Sequence, residues 1–424
     1  MASSSALIHF FLLSIATFSI SCSSLPHQPK SQPYSFKLPI KKDPLTNLYY
    51  ASVGIGTPQH NMDLVVDLGG PSLWYDCNSR YNSSSYRPVS CQSKKCPQDA
   101  GCTGCSGPFK PGCSNDTCGH NILNSLAKYI FSGDLGDDVF HMPNLKVPHF
   151  LSGCTASDSF TGDAVVLEGL PKGSDGIIGL ARTELTLPAQ LSSAYKLPRR
   201  FSLCLPSSTN KGYGDMLVGA QDVSKVLKTI PLIVNPVSTA PVFTTGDASY
   251  EYFIDVKSIK IDGKVVNIKP SLLSIDKKGN GGTKITTMSP FTELHSSVYK
   301  PFLRQFVKQA ASRKMKRVSP VPPFEACYDS SSINRSGVPS IDLELQGGVT
   351  WTIHETNLMV TTRHNVVCLG FVDGGKEPKK SSVKTSIVIG GHQLEDNLLV
   401  FDLVSSKLSF SSSLLFQNTS CSRF

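Results

Sequence analysis

Val65-Val-Asp67-Leu-Gly69-Gly70-Pro-Ser72-Leu-Trp74 is an apolar run that ends on one carboxylate, turns through paired glycines and resumes with an apolar-Trp pair. Upstream, Met62–Val66 alternates as a strand does, so Asp67 stands where a strand runs out into a turn. Far down the chain a second Gly-led strand, Gly281-Gly-Thr-Lys-Ile285, runs into Thr286-Thr287-Met288-Ser289-Pro290. Behind these segments lie two matching pieces, Gly176-Ile-Ile-Gly-Leu-Ala and Ile387-Val-Ile-Gly-Gly-His. Each is an apolar-apolar-Gly turn close behind a buried strand. The repetition predicts two lobes built on one plan.

Outward from these segments the chain is mostly strand. Alternation recurs at Leu48–Ile55, Met216–Val218, Tyr252–Ile261 and Ser386–Ile389, and only Pro188–Tyr195 and Ser296–Ser312 pattern as helices. The 28 prolines and 33 glycines suit short strands and turns. The expected fold is mainly β and bilobed, with few short helices. Residues 1–24 read as a signal peptide, 25–235 as an N-terminal lobe, 236–249 as a Pro/Ser/Thr/Gly-rich linker and 250–424 as a C-terminal lobe. The apolar run Ala6–Ile20 is short for a membrane span, which needs roughly 20 residues. No later run is long enough either, so no membrane span is expected.

Cysteine usage fits secretion. With Cys22 in the signal segment, 12 of the 13 cysteines remain: Cys77, Cys91, Cys96, Cys102, Cys105, Cys113, Cys118, Cys154, Cys204, Cys327, Cys368 and Cys421. Six disulfides are expected, with the pairing left open. Cys102-Thr-Gly-Cys105 has zinc or redox spacing, but an oxidising compartment favours disulfides, and neither metal nor cofactor is expected. Sequons at Asn82, Asn115, Asn334 and Asn418 are candidate glycan sites. The net charge of +9 points to retention on an acidic matrix such as pectin or on a membrane surface. Scattered basic residues on a secreted chain argue against nucleic acid. No Gly-x-Ser-x-Gly or His-Glu-x-x-His motif suggests another enzyme.

The Asp67 segment, Ile55-Gly-Thr-Pro-Gln59, Asp175-Gly-Ile-Ile-Gly-Leu180, Ile389-Gly-Gly and Val400-Phe-Asp-Leu resemble, in order, the landmarks of pepsin-type aspartic proteases. That resemblance implies a pepsin-like bilobed fold with one catalytic aspartate per lobe, the pair sharing a proton and activating a water. Asp67 occupies the first position. Thr286 stands where the second aspartate is expected, and Leu68 replaces the hydroxyl residue that ties the two loops together. Thr has no group that titrates near neutral pH, so a protein without peptidase activity is expected, with Asp67 kept as an acceptor for backbone N–H groups.

Within that family, the departures are similar to plant extracellular dermal glycoproteins, xyloglucan-specific endoglucanase inhibitor proteins, wheat-type xylanase inhibitors and basic 7S globulins. The resemblance rests on Val65–Gly70, Tyr86-Arg-Pro-Val89, Asp373-Gly-Gly375 and the run Thr385–Leu398. It implies an apoplast or cell-wall protein that inhibits microbial endo-β-1,4-glucanases or xyloglucanases. Two inhibitory contacts carry over. Arg317 lies ahead of Pro322-Pro323-Phe324 and Cys327, and Lys384 sits at the end of the loop Gly374–Thr385. The wheat-type inhibitors place a His in that loop, and this chain has none between Phe371 and Thr385. A xyloglucan-cleaving target is therefore expected ahead of a xylanase. A non-inhibitory wall or storage globulin is the alternative, and a residual peptidase the third reading.

Overall fold

The computed structural model describes residues 35–423, apart from 78–80, 98–99, 105–115, 128, 158–164, 210–211, 221, 223–224, 240–246, 334, 336 and 376–383. The expected signal segment lies outside the described residues, as do Cys105, Cys113, Asn115 and Asn334. Strands dominate, and the sequence periodicity explains them. Strand Tyr49–Ile55 buries Tyr49, Ala51, Val53 and Ile55 while Ser52 faces out.

The duplication read from the two Gly-containing segments is a duplication of topology. Strand His60–Asp67 runs parallel to Gly176–Gly179; that strand is antiparallel to Trp74–Asp76, which runs parallel to Leu145–Thr155. In the second half, Thr283–Ile285 runs parallel to Ile387–Ile389, which is antiparallel to Thr292–Leu294, itself parallel to Phe371–Asp373. The middle strand of each set is flanked on both edges. In the first set it reads as a continuous apolar run because both its faces are covered; Ile177 and Ile178 are fully buried.

The halves are joined by a shared sheet. The chain's last strands, Leu398–Asp402 and Lys407–Phe410, leave the second lobe and pair with Arg200–Cys204 and Lys228–Pro231 of the first. Phe201 stacks on Phe401 at 4.8 Å between ring centres, Tyr252 packs against Phe401 at 4.5 Å, and Cys204–Cys421 closes the seam. The 236–249 segment, expected as a linker, is packed at its described ends: Ser238, Thr239 and Ser249 are buried, and the adjoining Asn235 donates through its side chain to Gly279 O at 2.8 Å.

Helix Ser296–Ser312 matches the expected span. Val298, Phe302, Phe306 and Ala310, four residues apart, form its buried stripe, while Lys300, Arg304 and Lys308 point to solvent. Five disulfides are described: Cys77–Cys154, Cys91–Cys102, Cys96–Cys118, Cys204–Cys421 and Cys327–Cys368. Among the described residues, no helix is long and apolar enough to cross a membrane.

Candidate functional site

Asp67 and Thr286 occupy equivalent places in the duplicated plan. Asp67 ends the strand His60–Asp67, and its main-chain O accepts from Leu180 N–H at 2.9 Å. Thr286 follows Thr283–Ile285 and donates its N–H to Ile389 O at 3.0 Å. Each side chain caps its own loop. Asp67 Oδ1 accepts from Gly69 N–H at 2.7 Å, and Thr286 Oγ1 accepts from Met288 N–H at 3.1 Å. A threonine hydroxyl thus keeps the capping job of a carboxylate but not its proton chemistry.

The tie between the loops survives on one side. Thr287 Oγ1 accepts from Leu68 N–H at 3.0 Å and donates to Val66 O at 2.5 Å. Leu68, fully buried, has no hydroxyl to return the contact. Beyond the tie an apolar cluster borders the cleft. Met288 packs with Val65, Trp74, Ile122, Phe131 and Ile177 in one apolar cluster. Over it lies the hairpin of strands Thr117–Asn124 and Tyr129–Met142, held down at several points. Trp74 Nε1 donates to Leu123 O at 3.1 Å, and Asn124 Nδ2 donates to Val166 O at 2.9 Å and Glu168 O at 3.0 Å. Ser72 Oγ and His120 Nε2 lie 2.7 Å apart, and burial lowers the His120 pKa to about 4.

What remains is a cavity of about 230 Å³ lined by Asp67, Thr286, Met288, Leu123, Glu251 and Lys284, among others. Burial raises the Asp67 carboxyl from 3.8 to about 6; the Gly69 N–H opposes this, the charge of Glu251 adds to it, and Lys284 lowers it. Glu251 and Asp67 face each other across Gly69, where a Cβ would lie 3.4 Å from an oxygen of each. Yet Glu251 is fully engaged. Lys284 Nζ reaches it at 2.7 Å, Ser249 Oγ at 3.1 Å, and Thr239 Oγ1 donates to it as well. The sequence reading missed this pair. The signal was present: Lys284 interrupts a strand two residues before Thr286, where the first lobe has Val65. A larger opening of about 710 Å³, bordered by Asn61, Asp63, His141 and Asp175, shares no lining residue with this cavity.

The two predicted contact residues lie outside this cleft. Arg317 is exposed and makes one side-chain hydrogen bond, from Nη2 to Glu325 O at 3.2 Å. Lys384 is half-buried, and its Nζ donates to Gly374 O at 2.6 Å, so its ammonium latches the base of its own loop. Both neighbourhoods meet at the first turn of helix Ser296–Ser312. The phenol of Tyr299 is held above its usual pKa chiefly by burial, with Glu325 and Asp373 adding and Arg317 opposing. Ser296 N–H donates to Gly375 O at 3.1 Å. Lys376, Lys379 and Lys380 of that loop lie outside the described residues. Among the described residues, the one cluster with metal-ligand geometry is Cys91, Cys102 and Asp116, and its two sulfurs are spent in a disulfide. Asn82 and Asn418 are both exposed.

Residues 49–220 match the family described as xylanase inhibitor N-terminal, and 251–412 match xylanase inhibitor C-terminal. The chain is 44% identical to the "Probable aspartic proteinase GIP2" of Nicotiana benthamiana, across 99% of this chain and 98% of that one. A crystal structure of edgp superposes with a TM-score of 0.85 at 41% identity, covering 94% of this chain and 99% of the other. The crystal structure of basic 7S globulin from soybean gives 0.77 at 31% identity, covering 93% and 99%.

Proposed function

Given that the chain belongs to the pepsin-fold family whose halves are described as xylanase inhibitor N-terminal and C-terminal, we propose that it is a secreted, catalytically silent inhibitor of microbial cell-wall glycoside hydrolases, with a xyloglucan-cleaving endoglucanase as its target in the apoplast. The observation that carries this reading is Arg317, an exposed guanidinium with one carbonyl partner. A retaining glycosidase holds two carboxylates about 5 to 5.5 Å apart in an open cleft. A planar guanidinium inserted there makes paired charge-assisted hydrogen bonds and excludes the sugar. The positive net charge steers such an encounter.

Peptidase activity is disfavoured on three counts. Thr286 supplies no titratable group, Glu251 is tied up by Lys284, and Met288 narrows the cleft beside a latched hairpin. The deciding experiment is a panel of purified endoglucanases and xylanases assayed with and without the protein. Inhibition of a family 12 xyloglucanase ahead of family 11 xylanases is expected; equal or stronger inhibition of the xylanases would overturn the target. Inhibition of none would favour the second reading, a wall-bound or storage-type globulin, which the likeness to basic 7S globulin supports. Peptide cleavage at acidic pH that is lost on Asp67→Asn would reinstate the third.

A further inference from the structure

Near the chain's end, Leu414–Gln417 forms a single tight turn and Asn418 follows in the left-handed region at φ 56°. The turn is fixed from both sides. Leu414 is buried, Thr419 N–H returns to Leu414 O at 3.2 Å, and Cys421 is bonded to Cys204. Phe416 nevertheless points outward with 62% of its surface exposed, and the ring of His354 backs it at 4.2 Å between centres. A single exposed aromatic is ordinary on a protein surface. Here it stands two residues before the asparagine of Asn418-Thr419-Ser420. The same offset holds Arg80, Cys113 and Ser332 at the other three sequons, so an aromatic at this offset occurs at this sequon and at no other.

We propose that Asn418 carries an N-linked glycan whose first N-acetylglucosamine lies on the exposed face of Phe416. Two residues span at most about 7 Å of chain, so the ring and the asparagine amide fall within one sugar's reach. The ring offers a flat apolar face to the sugar's C–H bonds, and the sugar covers surface that the protein leaves to water. Burial, helped by Lys228, keeps the His354 imidazole below its usual pKa despite Asp342, so the backing ring is neutral near neutral pH. In the transfer, Asn418 Nδ2 bonds to C1 of a lipid-pyrophosphate-linked oligosaccharide. The C1–O bond to pyrophosphate breaks, the lipid pyrophosphate leaves, and the amide gives up one proton.

This inference rests on the secretion reading, and the test separates the two. The full chain is expressed in plant cells, recovered and digested, and each sequon is scored by mass spectrometry after enzymatic glycan removal in heavy-oxygen water. Heavy-isotope aspartate at position 418 is expected. A modified Asn82 beside an unmodified Asn418 would overturn the site and leave secretion standing; protein found only inside the cells would overturn the secretion reading. The contact is then tested with Asn82, Asn115 and Asn334 all changed to Gln. Removing the remaining glycan should lower Tm by on the order of 2 °C, with the effect lost in Phe416→Ala and kept in Phe416→Trp. Equal losses in the parent and Phe416→Ala would overturn the stacking.

Discussion

Asp67 is a buried carboxylate whose counterpart in the duplicated plan is Thr286, and its titration gives a direct test of its surroundings. Below about pH 3 it is neutral both in the fold and in the unfolded chain. As pH rises past 3.8 the unfolded chain ionises first, while the folded carboxyl holds its proton to about 6, so the group withdraws stability across that window. By pH 7 the loss is roughly 3 kcal/mol. Asn keeps an acceptor for Gly69 N–H and does not ionise, so Asp67→Asn should raise Tm at pH 7 and leave it nearly unchanged at pH 3. Thermal melts at both values check this, and equal shifts would refute it. At Thr286, restoring the acid alone should not restore activity. Thr286→Asp is expected to remain without acid peptidase activity, because Met288 still narrows the cleft and Leu68 still lacks a hydroxyl. Arg317→Ala should weaken inhibition of a sensitive endoglucanase by about thirty-fold or more, the cost of stranding a desolvated charge partner. Arg317→Lys should recover only part of that. Lys384→Ala should cost less, since its ammonium is already committed to Gly374 O. Inhibition constants measured with circular dichroism as a folding control decide these comparisons.

At the scale of elements, helix Ser296–Ser312 carries three exposed cations and no acidic residue. Lys300, Arg304 and Lys308 lie four residues apart, about 6 Å of rise each. Like charges at that spacing destabilise a helix by some 0.2 to 0.5 kcal/mol per pair, and Lys300 sits toward the end where the helix dipole disfavours a cation. Helix stability does not explain the stripe; an acidic wall polysaccharide as partner would. Changing all three to Gln should lower the salt needed to elute the protein from immobilised polygalacturonate. The control changes the exposed Lys264, Lys269 and Lys277 to Gln instead. Equal shifts from both triples would mean that net charge alone retains the protein.

Across the whole molecule the last strands do the joining. Lys42 Nζ lies 2.5 Å from buried Glu395, which also accepts from Tyr49 OH at 2.7 Å, so the first strand is tied to the second lobe where the shared sheet begins. Cys204–Cys421 spans 217 residues, and a loop of that length removes about 5 kcal/mol of unfolded-chain entropy. Replacing both cysteines by Ser should lower Tm more than the same change at Cys91 and Cys102, which close only 11 residues. Melting of the two double variants, each with its remaining disulfides verified intact, makes the comparison. A smaller loss at Cys204–Cys421 would show that the sheet holds the seam unaided.

The sequence by itself determined the local features. The strand alternation, the helix from Ser296 to Ser312 and the individual Gly turns were all legible, because each depends on residues a few positions apart. The two-lobed β class followed from their repetition. The tertiary structure alone decided what lies between distant residues. It set the pairing of the last strands with Arg200–Cys204, the packing of Met288 against Trp74, the engagement of Glu251 by Lys284 and the latch of Lys384 on Gly374. A strand's period says which face is buried but not which edge it will meet. A lysine in a strand carries no mark of the carboxylate that folding brings to it. The turns at Asp67 and Thr286 could therefore be read along the chain, whereas the packing of Met288 beside them arises only when both lobes meet.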